Sequence, residues 1–145
     1  MFKNLLKTIG LVAEPPTVPP EDRPAHSARP LPIDVTDADF SSVILQSGKL
    51  AIVDFWADWC EPCHVISAWV GFLATEFQGQ VLVAALDVDE NPDTPNQYNI
   101  MGLPTLLFLR NGAEVDRVVG VTNYQELKQK VEHWLVVTSN EGIGG

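Results

Sequence analysis

The chain has 145 residues, enough for one domain with a core of its own, and 46% of them are hydrophobic. Its 9 Lys and Arg stand against 19 Asp and Glu, a formal net charge of -10. That balance argues against nucleic-acid binding, which needs clustered cations, and no apolar run approaches the roughly 20 residues of a membrane-spanning helix.

"MFKNLLKTIGLV" opens the chain with Phe2, Leu5, Leu6, Ile9 and Val12 at helical spacing and Lys3, Asn4 and Lys7 opposite. This predicts an amphipathic helix over residues 1–12. Lys7 interrupts the apolar run that a secretory signal would need, although "LVA" at Ala13 keeps a cleavage site open. Pro15, Pro16, Pro19, Pro20, Pro24, Pro30 and Pro32 follow, and prolines at that density favour an extended linker. Residues 1–30 are therefore expected to be an extension, and residues 31–145 the folded domain.

Within the domain, Thr36 and Asp39 suit the N-terminus of a helix carrying Phe40, Val43, Ile44 and Leu45. "LAIVDFWA" is a continuous apolar run with β-branched members, the pattern of a strand buried on both faces. A helix is predicted from Glu61 to Gln78, then a second buried strand in "VLVAALDV". Thr94-Pro95 reads as the cap and first position of a short helix ending near Tyr98. "TLLFLR" and "AEVDRVVG" flank Asn111-Gly112, a β-hairpin signal. A last helix runs through "TNYQELKQKVEHWLVV", capped by Thr122-x-x-Gln125 or Asn123-x-x-Glu126. The order β-α-β-α-β-α-β-β-α predicts an α/β fold, a mixed sheet with helices on both faces.

The only cysteines, Cys60 and Cys63, form one Cys-x-x-Cys at the start of a predicted helix. A disulfide between them would close too small a loop to add much stability, so their use is expected to be chemical. A helix N-terminus favours thiolate over thiol, and three-residue spacing brings the second sulfur beside the first. Pro62 fits the first turn, where a missing N–H costs nothing. A zinc site would need further ligands, and the histidines offered are His26 in the linker, His64 beside Cys63 and His133 on the last helix. Asp54, inside an apolar strand, should be desolvated and its pKa raised, making it a proton carrier near neutrality.

"VDFWADWCEPC", followed by "GLPTLLFLRNG" and "VVG", resembles the thioredoxin family. The resemblance extends from about Leu31 to Val137 and implies the thioredoxin fold with thiol–disulfide oxidoreductase activity. It implies that Cys60 is the exposed nucleophile, Cys63 the more buried resolving thiol and Asp54 the carboxylate that exchanges a proton with Cys63. It further implies a cis peptide bond before Pro104. Trp59, Leu103, Pro104, Val119, Gly120 and Val121 would form the surface that accepts extended clients, with Trp56 packed under the dithiol loop. No bound cofactor or metal is implied. The implied partners are disulfide-containing client proteins and a thioredoxin reductase, with the chain monomeric and cytoplasmic. Alternatives are a periplasmic or membrane-associated interchange protein tethered through residues 1–12, and a non-catalytic binding module using the Trp59–Leu103–Val119 groove.

The sequence departs from the family pattern near the dithiol. Glu61 stands where glycine is usual, and its charge should oppose the Cys60 thiolate. His64 replaces a fixed cation, and Ala85 replaces the lysine that commonly neighbours the buried aspartate, which should leave Asp54 higher still. Ala68 replaces a kinking proline. Trp69 and Phe72 form an apolar patch on which the residue 1–12 helix is expected to lie, unless that helix lies on a membrane surface or a partner, or is a frayed tail.

Overall fold

The computed structural model describes residues 31–144, with side chains through residue 137. The expected N-terminal helix and the linker up to Pro30 lie outside the described residues. Nine elements follow one another: β1 (Ile33–Asp34), α1 (Ser41–Leu45), β2 (Leu50–Trp56), α2 (Glu61–Glu76), β3 (Val81–Asp87), α3 (Asp93–Gln97), β4 (Thr105–Arg110), β5 (Ala113–Val119) and α4 (Tyr124–Gly144). The sheet order is β1-β3-β2-β4-β5, with β1 and β2 parallel to β3, and β4 antiparallel to both β2 and β5. This is the mixed α/β architecture expected from the order of apolar runs.

The continuous apolar run of β2 is explained by the two cores it separates. Leu50 and Ile52 face one way, where with Val83, Leu106 and Phe108 they meet Ile66, Val70 and Leu73 of α2 and Leu127 and Val131 of α4. Ala51, Val53 and Phe55 face the other way, against Phe40 and Ile44 beside α1. Each such fully buried Leu, Ile or Phe contributes about 1.5–3 kcal/mol of transfer free energy. Since side chains alternate along a strand, Asp54 shares the α2 face with Ile52. Its burial follows from the strand's register.

Local signals near the helix ends hold with two revisions. Thr36 and Asp39 cap each other reciprocally, the Thr36 N–H donating to Asp39 Oδ1 at 2.7 Å and the Asp39 N–H to Thr36 Oγ1 at 3.3 Å. The helix they lead into is short and wide, with Gln46 N–H bonding back to Ser41 O. Asn123 Oδ1 accepts the Glu126 N–H at 2.9 Å and caps α4, while the Glu126 carboxylate turns to the Thr122 hydroxyl. At α3 the expected cap is displaced. The helix begins at Asp93, and the Asp93 and Thr94 N–H groups donate to Asp37, 3.0 and 2.8 Å away, leaving Thr94 buried inside the first turn. The hairpin turn is as expected, with φ of 51° at Asn111 and 81° at Gly112.

Candidate active site

Where β2 ends, the chain turns tightly into α2. Cys60 N–H bonds to Ala57 O at 3.1 Å, and Cys60 becomes the N-cap of α2, with Pro62 in the first turn. Its Sγ accepts the Cys63 N–H at 3.3 Å. The same amide, at the positive end of α2, would stabilise a Cys60 thiolate in the reduced form. Cys60 and Cys63 are joined in a disulfide with their Cα atoms 5.3 Å apart.

Cys60 keeps 4% of its surface exposed and Cys63 none. The ranking agrees with the roles implied for them, but Cys60 is far more enclosed than the expected exposed nucleophile. The enclosure comes from Ala57, Trp56, Val88 and Leu103, which pack around the dithiol. Trp56 thus sits under the loop as expected. The Leu103–Pro104 peptide bond is cis, and Pro104 O accepts the Gly120 N–H at 2.8 Å. That bond ties the start of β4 to the end of β5, so Val119, Gly120 and Val121 follow the Pro104 segment along one edge. Val119, Val121 and Trp59 are exposed apolar side chains.

Trp59, 69% exposed, is held out from the loop by a hydrogen bond from its Nε1 to Asp89 Oδ2 at 3.0 Å. Asp89 follows β3 and was not singled out by sequence reasoning. It lies 30 residues from Trp59, and no local pattern links the two. Glu61 occupies the first turn of α2 and is exposed, and His64 Nε2 lies 3.2 Å from Asp58 O.

Asp54 is 1% exposed, and its Oδ1 has no hydrogen-bond partner among the described residues. Burial pushes its pKa up to about 7, so near neutrality it can take up and return a proton. Ala85 pairs with it across β2 and β3, as expected of the position that departs from the family pattern. Among the described residues, no three His, Cys, Asp or Glu side chains are arranged to hold a metal ion.

A disulfide-forming Cys-x-x-Cys that caps a helix, walled by a cis-proline segment and an apolar rim, defines a thiol–disulfide oxidoreductase. Comparison with known proteins gives the same result. The family model Thioredoxin matches residues 32–133. The chain is 40% identical over 99 residues to thioredoxin 2 of Chlorobaculum tepidum, covering 68% of this chain and 91% of that protein. It is 42% identical over 103 residues to thioredoxin of Staphylococcus aureus, covering 71% of this chain and 97% of that protein. To thioredoxin of Chlorobaculum thiosulfatiphilum it is 38% identical over 99 residues, covering 68% and 92%. The chain belongs to the thioredoxin family, whose members act on disulfide substrates by dithiol–disulfide exchange. No helix among the described residues is long and apolar enough to cross a membrane.

Proposed function

We propose that this protein is a general protein disulfide reductase of the cytoplasm, recharged by a thioredoxin reductase. The observation that carries the reading is the Cys60–Cys63 disulfide at the head of α2, with Cys60 the sulfur-bearing residue that keeps an exposed edge. In the reduced protein the Cys60 thiolate attacks a client disulfide. A Cys60–client mixed disulfide forms, and the client's other sulfur leaves as a thiolate that takes a proton from solvent. Cys63 then passes its proton to Asp54 and attacks Cys60 Sγ. The client's second sulfur leaves as a thiolate that takes a proton from solvent, so the client departs two electrons richer and the protein is left as the Cys60–Cys63 disulfide. Trp59, Leu103, Val119 and Val121 supply the apolar rim for an extended client, and backbone at Pro104 and Gly120 shapes its edge. That both cysteines of the chain lie in the exchange motif, with none left for a structural bridge, favours a reducing compartment.

The test is reduction of a protein disulfide by the fully reduced chain. The wild type should turn it over with a regenerating dithiol. Cys60→Ser should abolish turnover, and Cys63→Ser should accumulate the mixed disulfide, resolvable by mass spectrometry. Turnover that survives Cys60→Ser would reverse the assigned roles. A doubly substituted protein with undiminished cellular function would favour the binding-module reading.

We also propose that residues 1–12 lie on the apolar patch of α2. Phe72 is 57% exposed, and Trp69, Phe72 and Tyr124 pack in tilted and edge-on contacts with ring centroids 5.9–6.0 Å apart around a groove of about 400 Å³. Leu31, where the described chain begins, lines a cleft with Val70 of α2, next to Trp69 in sequence. Deleting residues 1–30 should lower the melting temperature and raise the fluorescence quenching of Trp69 by iodide. An unchanged melting temperature would overturn the docking, and vesicle binding lost on deletion would assign the segment to a membrane surface instead.

A further inference from the structure

The strand registers place Asp34, Ala85 and Asp54 side by side in one row across β1, β3 and β2. In-register neighbours on parallel strands project to the same face. Asp34 and Asp54 therefore flank Ala85 on the α2 face, two strand spacings or about 10 Å apart at Cα. Between them the side chain is only a methyl group, and a cleft of about 310 Å³ opens there, lined also by Trp56, His64, Ser67 and Val70.

The lining is rich in acceptors. Two carboxylates and a hydroxyl accept hydrogen bonds, the His64 imidazole is engaged through its Nε2 with Asp58 O at 3.2 Å, apolar surface comes from Leu31, Pro32, Val70 and Trp56, and neither Lys nor Arg is present. Asp54 is almost fully buried, and its Oδ1 has no partner among the described residues. A buried carboxylate without a partner is costly, and a cation that enters beside it relieves that cost. The donor set does not suit a metal, since no three His, Cys, Asp or Glu side chains are so arranged among the described residues. An alkylammonium suits it better. Three N–H donors can divide between Asp54, Asp34 and Ser67, while the alkyl stem lies on Val70 and the Trp56 ring, which also favours a cation.

We infer that the Asp34–Ala85–Asp54 row is a binding slot for a primary ammonium group, carried by a small free amine or by a lysine of a bound protein. Occupancy holds Asp54 ionised and lowers its basicity, so it takes the Cys63 proton less readily, coupling the slot to the dithiol. The binding claim does not depend on the direction of the redox reaction.

The test is a titration of the full-length oxidised protein, followed by the Ala85 methyl signal in NMR. Propylammonium chloride is one probe and a blocked lysine tripeptide the other. Tetramethylammonium chloride, which has no N–H donor, is the ionic-strength control. The slot predicts a saturable shift with a primary ammonium and none with the control. Asp54→Asn, which keeps the shape and removes the charge, should weaken binding about tenfold or more. Ala85→Leu, which fills the cleft and is read at the Val70 methyl signals, should abolish binding in a protein whose methyl signals away from the cleft are unchanged. Tighter binding of the tripeptide assigns the slot to a protein lysine, and tighter binding of propylammonium to a free amine. Shifts that are linear, equal with tetramethylammonium, or undiminished in Asp54→Asn would overturn the inference.

Discussion

Glu61 stands one residue after Cys60, at the exposed start of α2, where its charge is proposed to oppose the Cys60 thiolate. As an acid near a helix N-terminus it is compatible with the helix, so its effect should fall on the thiol rather than on the fold. Its repulsion should raise the pKa of the Cys60 thiol in the reduced protein. Glu61→Gly should lower that pKa and make the dithiol a weaker reductant, as read from thiolate absorbance against pH. An equal or higher pKa in the variant would contradict this. Asp54 gives a second prediction. Its folded-state pKa, about 7, lies above the ordinary carboxylate value because of burial. The folded protein therefore binds the extra proton between about pH 4 and 7, and the associated stability is lost as pH rises through that window. Asp54→Ala should stabilise the protein above pH 7 by up to about 4 kcal/mol, with the gain vanishing near pH 4. Denaturant midpoints at both pH values check it, and a gain independent of pH would rule out this cause. Both residues were legible because their neighbours in the chain set their surroundings: Glu61 beside Cys60, Asp54 inside an apolar strand. Asp89 and Asp34 were not, since each acquires its role only when β3 is placed beside β2 and β1.

Elements show the same division. The Asn111-Gly112 turn and the buried strand β2 carry their signals within a few residues, and both formed as read. The start of α3 did not, because its cap comes from Asp37, 56 and 57 residues away. Burial works against ionisation of Asp37, but hydrogen bonds from Thr94 and Asp93 outweigh it and hold the pKa below the ordinary value. A depressed carboxylate contributes stability at neutral pH that is lost as pH falls through its folded pKa. Asp37→Ala should cost about 1–2 kcal/mol at pH 7, with the difference shrinking below pH 4. The midpoint of urea unfolding reads this directly, and an unchanged midpoint at pH 7 would show that α3 needs no such cap. Asp37→Asn, which keeps an acceptor, should recover part of the loss.

At the scale of the whole molecule, one sheet separates two apolar cores and presents the dithiol where β2 hands over to α2. The stabilising surface therefore lies mostly away from the reacting sulfurs, and we propose that Glu61, His64 and Ala85 retune the site without rebuilding the core. Ion pairs such as Lys128–Glu76 and Lys130–Asp116 lie on the partly exposed surface and contribute little each. The fold was legible because the apolar runs alternate between strand and helix periods in a single order. The partner of the N-terminal segment was not, since an amphipathic face fits a helix, a membrane or another protein equally well. The central claim is that Cys60 and Cys63 form a reducing couple. Its most direct test is the equilibrium potential of that couple, measured against glutathione and read by mass after thiol trapping. The reductase reading predicts a potential more negative than that of glutathione, with Glu61→Gly shifted towards it. A potential more positive than glutathione's would contradict a reductase and assign the dithiol to oxidation or isomerisation instead.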